Sequence, residues 1–273
     1  MTISLHTGIR TATVSTAWTA WDEPFRLVVT DPWAMHHARL QVAELLGAIV
    51  EAVGRRRLPA ARREARLVEL LGGAARPAPR PFPYGIAGVA AGTDVHRTAP
   101  TAWQMAFTAA MRTRDGWHVA PGPAAAALIA QRCAERVAED FSCGVLVAFG
   151  DHVATSGLAP VGGWRVQLRD APGAECDLVA IDGGAISSVS AVRPGRPDRL
   201  QPFVVPATGR TVVPAWRSVT VAAADAPAAS AACAGALLRG AAAPEWLDEL
   251  GLPALLVDAE GGRRTVGRWP TSA

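Results

Sequence analysis

The chain has 273 residues, half of them hydrophobic and 19% charged, with a formal net charge of +3. This is the composition of a folded chain with room for a large core, and it excludes a disordered, solvated tail. Lysine is absent, which leaves arginine as the permanently cationic side chain and excludes lysine Schiff-base chemistry, a P-loop lysine and a lysine general base.

The N-terminal stretch MTISLHTGIRTATVSTAW has no apolar h-region and no lipobox-like cysteine, and no run of about 18 apolar residues follows. We therefore expect a cytoplasmic protein that does not enter a membrane. Strands are predicted near Ala12–Trp21 and Phe25–Val29. Asp31-Pro32 is a cap followed by a first-turn proline, a helix start. The stripe Val42, Leu45, Leu46, Ile49, Val50 and Val53 predicts a helix over Met35–Val53. A second helix is predicted over Ala60–Leu71. The cluster Arg55, Arg56, Arg57, Arg62, Arg63 and Arg66 contains no aromatic residue, so it reads as a solvated helix face and not a nucleic-acid surface. Residues 72–100 are rich in Gly, Pro and Ala and mark a loop or subdomain boundary. Thr101 is placed to cap a helix to about Met111, and Gly122-Pro123 opens an Ala-rich helix to about Asp140.

From Cys143 the texture changes. The runs CGVLVAF, WRVQL, CDLVAI, WRSVTVAA and ALLVDA read as strands. Helices at about Ala226–Arg239 and Pro244–Leu250 interrupt them. The order predicts an α+β fold with a mixed β-sheet flanked by helices. Cys133, Cys143, Cys176 and Cys233 are far apart, without metal-ligand or disulfide-framework spacing, and read as buried reduced thiols.

Candidate chemistry is sparse. Asp151-His152 lies at a strand-to-turn corner, where an imidazole near neutral pKa can act as acid or base; otherwise it is an exposed polar turn. His118 precedes the Ala-rich helix, and His96 sits in a polar loop. His36-His37 lie on the surface of the first helix. Trp103, Trp117, Trp164 and Trp216 line an apolar pocket or form plain core. Arg165, Arg193 and Arg217 meet an anionic ligand or are solvated. Asp225 with Pro227 reads as a helix N-cap.

The order of segments in the second half resembles the ApbE family of FAD:protein FMN transferases. Cys143–Val153 resembles the family's GVLVNLGGDI strand and turn, and Gly162–Val166 its GGWRV. Gly183–Arg193 resembles GGLATSSTAVR, and Val204–Gly209 the HIVDPRTG loop. Ser218–Val221 precedes an Ala-rich helix, and the chain closes on GLPALLVDAEGG and VGRWP. The resemblance covers roughly residues 15–270. It implies one ApbE-like domain over 1–273, with subdomains of about 1–115 and 116–273.

The resemblance also implies FAD as cofactor, Mg²⁺ at its pyrophosphate, and a flavoprotein partner that accepts FMN on Thr or Ser. Most of the polar residues this requires are replaced. Ala228 and Ala234 stand at the metal-binding Asp and Thr. Pro202 and Val205 stand at the His and Asp of the HIVDP loop. Ala120, Ala126 and Gln131 stand at an Asp, a Lys and a second Asp. Mg²⁺ wants hard oxygen ligands, and only Asp225 in a shifted register would supply one. The expected catalytic residues are His152, Asp151 and His118. The expected flavin contacts are Gly150, Ser187, Ser188, Thr208 and Gly209, and no metal ligand is expected. The expectation is a divergent flavin transferase. The alternatives are a repurposed enzyme acting on an apolar small molecule in the emptied pocket, or a non-catalytic relative that binds flavin or a partner.

Overall fold

The computed structural model describes residues 2–5, 13–54, 69–71, 109–113, 116–120, 123–169, 176–193, 196–200, 203–204 and 211–269. The first elements are β1 (Thr2–Leu5), β2 (Val14–Ala20), β3 (Glu23–Val29) and α1 (Met35–Gly54). Next come β4 (Ala109–Thr113), β5 (Gly116–Ala120), α2 (Pro123–Phe141), β6 (Val145–Phe149) and β7 (His152–Ser156). Then follow β8 (Trp164–Arg169), β9 (Cys176–Ile181), β10 (Ala185–Ser190), β11 (Val192–Arg193), β12 (Arg196–Leu200), β13 (Phe203–Val204) and β14 (Thr211–Val212). The last are β15 (Trp216–Ala223), α3 (Ala226–Arg239), α4 (Ala243–Glu249), β16 (Ala254–Asp258) and β17 (Arg263–Val266).

Eight strands form the central sheet in the order β17-β16-β15-β10-β7-β6-β3-β2. The α+β fold is as expected. The sheet is antiparallel at every pairing rather than mixed. Short turns join β2 to β3, β6 to β7 and β16 to β17, and a tight turn between paired strands imposes the antiparallel sense. A helix reaching Met111 is not found: Ala109–Thr113 is a strand paired with Gly116–Ala120. Cross-strand pairing overrides the helix propensity of that alanine-bearing run. The predicted helix over Ala60–Leu71 lies outside the described residues except for 69–71, which are helical.

The sheet has two buried faces. On one, Phe25, Phe149, Ala154 and Ala185 pack against Val42 and Ile49 of α1 and Ile129 and Ala130 of α2. Farther along that face, Val219, Val221 and Leu256 meet Cys233 and Leu237 of α3 and Trp246 of α4. On the other face, Val28, Leu146, Val153 and Ile186 pack against Trp164, Val166, Leu168 and Val179 of β8 and β9. Strand alternation sends successive residues to opposite faces, so both layers draw on the same strands. Among the described residues no helix is long and apolar enough to cross a membrane.

The registers combine into one rung that crosses all eight strands: Trp18–Phe25–Phe149–His152–Ser187–Val221–Ala254–Val266. Directly opposed residues share a face, and this one is the helix face. The rung begins aromatic, with Trp18 stacked on Phe25 at 4.7 Å and Phe25 tilted on Phe149 at 5.3 Å. It turns polar at His152 and Ser187, then apolar again. Phe149 is fully buried between the aromatic and polar parts. Phe149→Ala is expected to cost about 3–5 kcal/mol, read from the urea unfolding midpoint at neutral pH.

Candidate functional site

The polar part of the rung is built by a turn, the start of α3 and the middle of α2. Gly150, at φ 54°, reverses the chain between β6 and β7, and its N–H donates to Pro24 O at 2.9 Å. The turn delivers His152 as the first residue of β7, 4% exposed. Its Nδ1 lies 3.0 Å from the Oγ of the fully buried Ser187. The Ser187 hydroxyl donates to Ala226 O at 3.2 Å. A hydroxyl carries one proton, so Ser187 accepts from His152, which then carries a proton on Nδ1. Burial pushes the His152 pKa down to about 4, so the ring is uncharged at neutral pH.

Ala226, the first residue of α3, is held at both polar atoms. Its N–H donates to Gln131 Oε1 of α2 at 3.1 Å, while its carbonyl takes the Ser187 proton. Gln131 Nε2 donates to Glu135 Oε1 at 3.0 Å, and Arg132 pairs with the other oxygen of that carboxylate. The Cys233 thiol donates to Ser187 O at 3.2 Å. Burial raises the thiols of Cys133, to about 12, and of Cys233. Cys133, Cys143 and Cys233 are buried and unbridged.

The structure separates several residues that the sequence grouped. Ser187 faces the helices, whereas Ser188 points to the opposite face, where its hydroxyl meets Thr220 Oγ1 at 2.9 Å. Both lie inside a central strand, not at a sheet edge. His152 is buried and not part of an exposed turn, while Asp151 contributes its carbonyl to Ser188 N at 2.9 Å. His36 and His37 are exposed, with rings edge to face at 5.5 Å. Trp164 is buried in the second core layer, and Trp216 Nε1 donates to Gly240 O at 2.7 Å. Arg165 is exposed. His118 lies on β5, whose side chains fall outside the described residues, as do Arg193's side chain and all of Thr208, Gly209 and His96.

Gln131 was seen in the sequence only as the replacement of an Asp. The available signal was spacing: it sits between Ala127 and Ala134 on the buried stripe of α2, where a polar residue needs a partner.

A divalent metal was tested against this donor set. Asp225 adopts extended backbone angles, φ −146° and ψ 158°, and its carboxylate accepts the Ala228 N–H at 2.7 Å. It is the N-cap of α3, with proline in the first turn. Ala228 offers no side-chain oxygen. Among the described residues no three His, Cys, Asp or Glu side chains gather closely enough to hold a metal ion. Among the described residues this donor set does not fit Mg²⁺, and no step is routed through one.

The low pKa of His152 sets a pH dependence. Unfolded histidine titrates near 6.5, so the buried neutral ring stabilises the fold fully above that value. The contribution is lost as pH falls from about 6.5 toward 4 and amounts to on the order of 3 kcal/mol. Urea midpoints measured from pH 7.5 down to 4 should show this loss, and His152→Asn should flatten that part of the curve relative to the parent chain.

The fold is shared with solved structures. The apo form of the flavinyl transferase ApbE from Pseudomonas stutzeri superposes with a TM-score of 0.63 at 14% identity, over 97% of this chain and 95% of that one. The flavin transferase ApbE from Vibrio cholerae gives 0.52 at 14% identity, over 96% and 98%. No protein of curated function matches the sequence. A family model described as the ApbE family matches residues 64–256, well over half of the chain. By that match, this chain belongs to the ApbE family.

Proposed function

We propose that this chain binds a flavin nucleotide, FAD in the first instance, at the His152–Ser187 end of the sheet, without a divalent metal. On this reading it does not carry FMN to a protein acceptor through the metal residues of a flavin transferase. The flavin part is supported by membership of the ApbE family and by solved structures of the same fold that are named flavin transferases. It is supported also by the retained Gly150 turn and Ser187 where the family pattern meets the flavin.

One observation carries the metal-independent part. Asp225 is the only acid among residues 224–230, and its carboxylate is engaged in capping α3. A cation ligand there would have to release that cap, at a cost of about 1 kcal/mol to helix stability. His152, neutral and hydrogen-bonded to a buried hydroxyl, supplies no positive charge in place of the metal.

FAD titration by fluorescence quenching, in EDTA and in excess Mg²⁺, tests this reading. Equal affinity in both supports it. Binding that requires Mg²⁺ restores the transferase reading, with a flavoprotein as partner. No binding at high micromolar FAD removes the flavin and leaves an apolar small molecule as the ligand class. Asp225→Asn, which still caps a helix, should leave both FAD affinity and the thermal midpoint nearly unchanged.

A further inference from the structure

β2 and β3 are joined by only two residues, Trp21 and Asp22, with φ of 50° and 63°. Two positive φ angles in succession are the pattern of a type I′ hairpin turn, which Asn, Asp and Gly fill readily. Asp22 suits it. Trp21 does not: a bulky side chain in the left-handed region costs on the order of 1–2 kcal/mol. A turn serving only the hairpin would not need tryptophan there.

What the strained position achieves is the placement of an indole. Trp21 packs on Phe149 with ring centroids 5.8 Å apart and planes 38° apart, yet it remains only partly buried. Phe149 is the rung neighbour of His152. The Trp21 turn and the Gly150 turn lie side by side: Gly150 N–H donates to Pro24 O, and a Cβ on Gly150 would lie 3.3 Å from Glu23 Oε2. Trp21 thus holds an accessible aromatic surface at the end of the sheet where the polar part of the rung begins.

The charges at this end choose which part of a nucleotide belongs there. Asp22 and Asp151 lie in the two turns, and Glu23 opens β3 beside them. Burial and neighbouring Asp22 raise the Glu23 carboxyl above its ordinary pKa. Carboxylates repel phosphate but tolerate an uncharged ring. We infer that Trp21 is the stacking and positioning residue for the isoalloxazine ring of the bound flavin, with the phosphate held away from the Asp22–Glu23 turn. This rests on the flavin-binding reading above.

The test is titration with FMN of the parent chain, Trp21→Gly and Trp21→Phe. Glycine relieves the left-handed backbone and removes the ring, whereas phenylalanine keeps a ring on the same backbone. The expected result is an FMN Kd about ten-fold higher in Trp21→Gly, with recovery to within about three-fold in Trp21→Phe. The FMN that still binds Trp21→Gly should be more fluorescent, because the quenching indole is gone. If Trp21→Gly does not fold, Trp21→Asn removes the ring with a residue that also accepts positive φ. An unchanged Kd in a folded ring-free variant, even with a shifted thermal midpoint, overturns the inference while flavin binding stands. Absence of FMN binding by the parent chain overturns the inference, and absence of FAD binding as well overturns both.

Discussion

Ser187 has one hydroxyl proton and two buried neighbours able to take it. The geometry gives the proton to the Ala226 carbonyl, and the consequences spread from there. His152 must then donate from Nδ1, and burial keeps the ring neutral. The first residue of α3 is pinned to β10, and Gln131 pins the same residue to α2. A central strand and two helices are therefore fixed to one another through a single residue, Ala226. Each of these groups would be costly if buried without a partner. Removing one member leaves its direct partner without that hydrogen bond.

The same constraint makes the region a structural framework in the ligand-free chain. A catalytic imidazole needs access to the proton it moves and a pKa near the working pH. Here the ring is nearly sealed, and burial holds its pKa far below neutrality. The family's architecture is retained. Aromatic rings occupy one side of His152 and apolar side chains the other, with a short polar bridge between.

Much of the fold was legible in the sequence because its signals are local. The apolar stripe of α1, the Asp225 cap and the apolar strand runs all act within a few residues, whereas Asp31 caps a turn that precedes α1. The ApbE-like order of segments supplied the rest of the architecture. The register was not legible. Ser187 and Ser188 are adjacent and chemically alike, yet alternation sends one to the helix face and the other to the second layer. His152 looked like a turn residue because the Gly150-Asp151 corner precedes it, and only pairing with Phe149 and Ser187 shows it to be buried. The strand at Ala109–Thr113 was missed because its partner, not its own composition, decides its conformation.

The buried thiol of Cys233 gives the molecule a built-in clock. It sits on α3 with its proton on the Ser187 carbonyl, shielded from water and held as the unreactive thiol. Alkylation proceeds through the thiolate. A reagent can therefore reach Cys233 only when α3 lifts from β10, and the labelling rate reports the frequency of that opening. Cys133 keeps the same time for α2. Two helices that converge on Ala226 thus carry independent native reporters, which can tell whether they separate from the sheet together or one after the other.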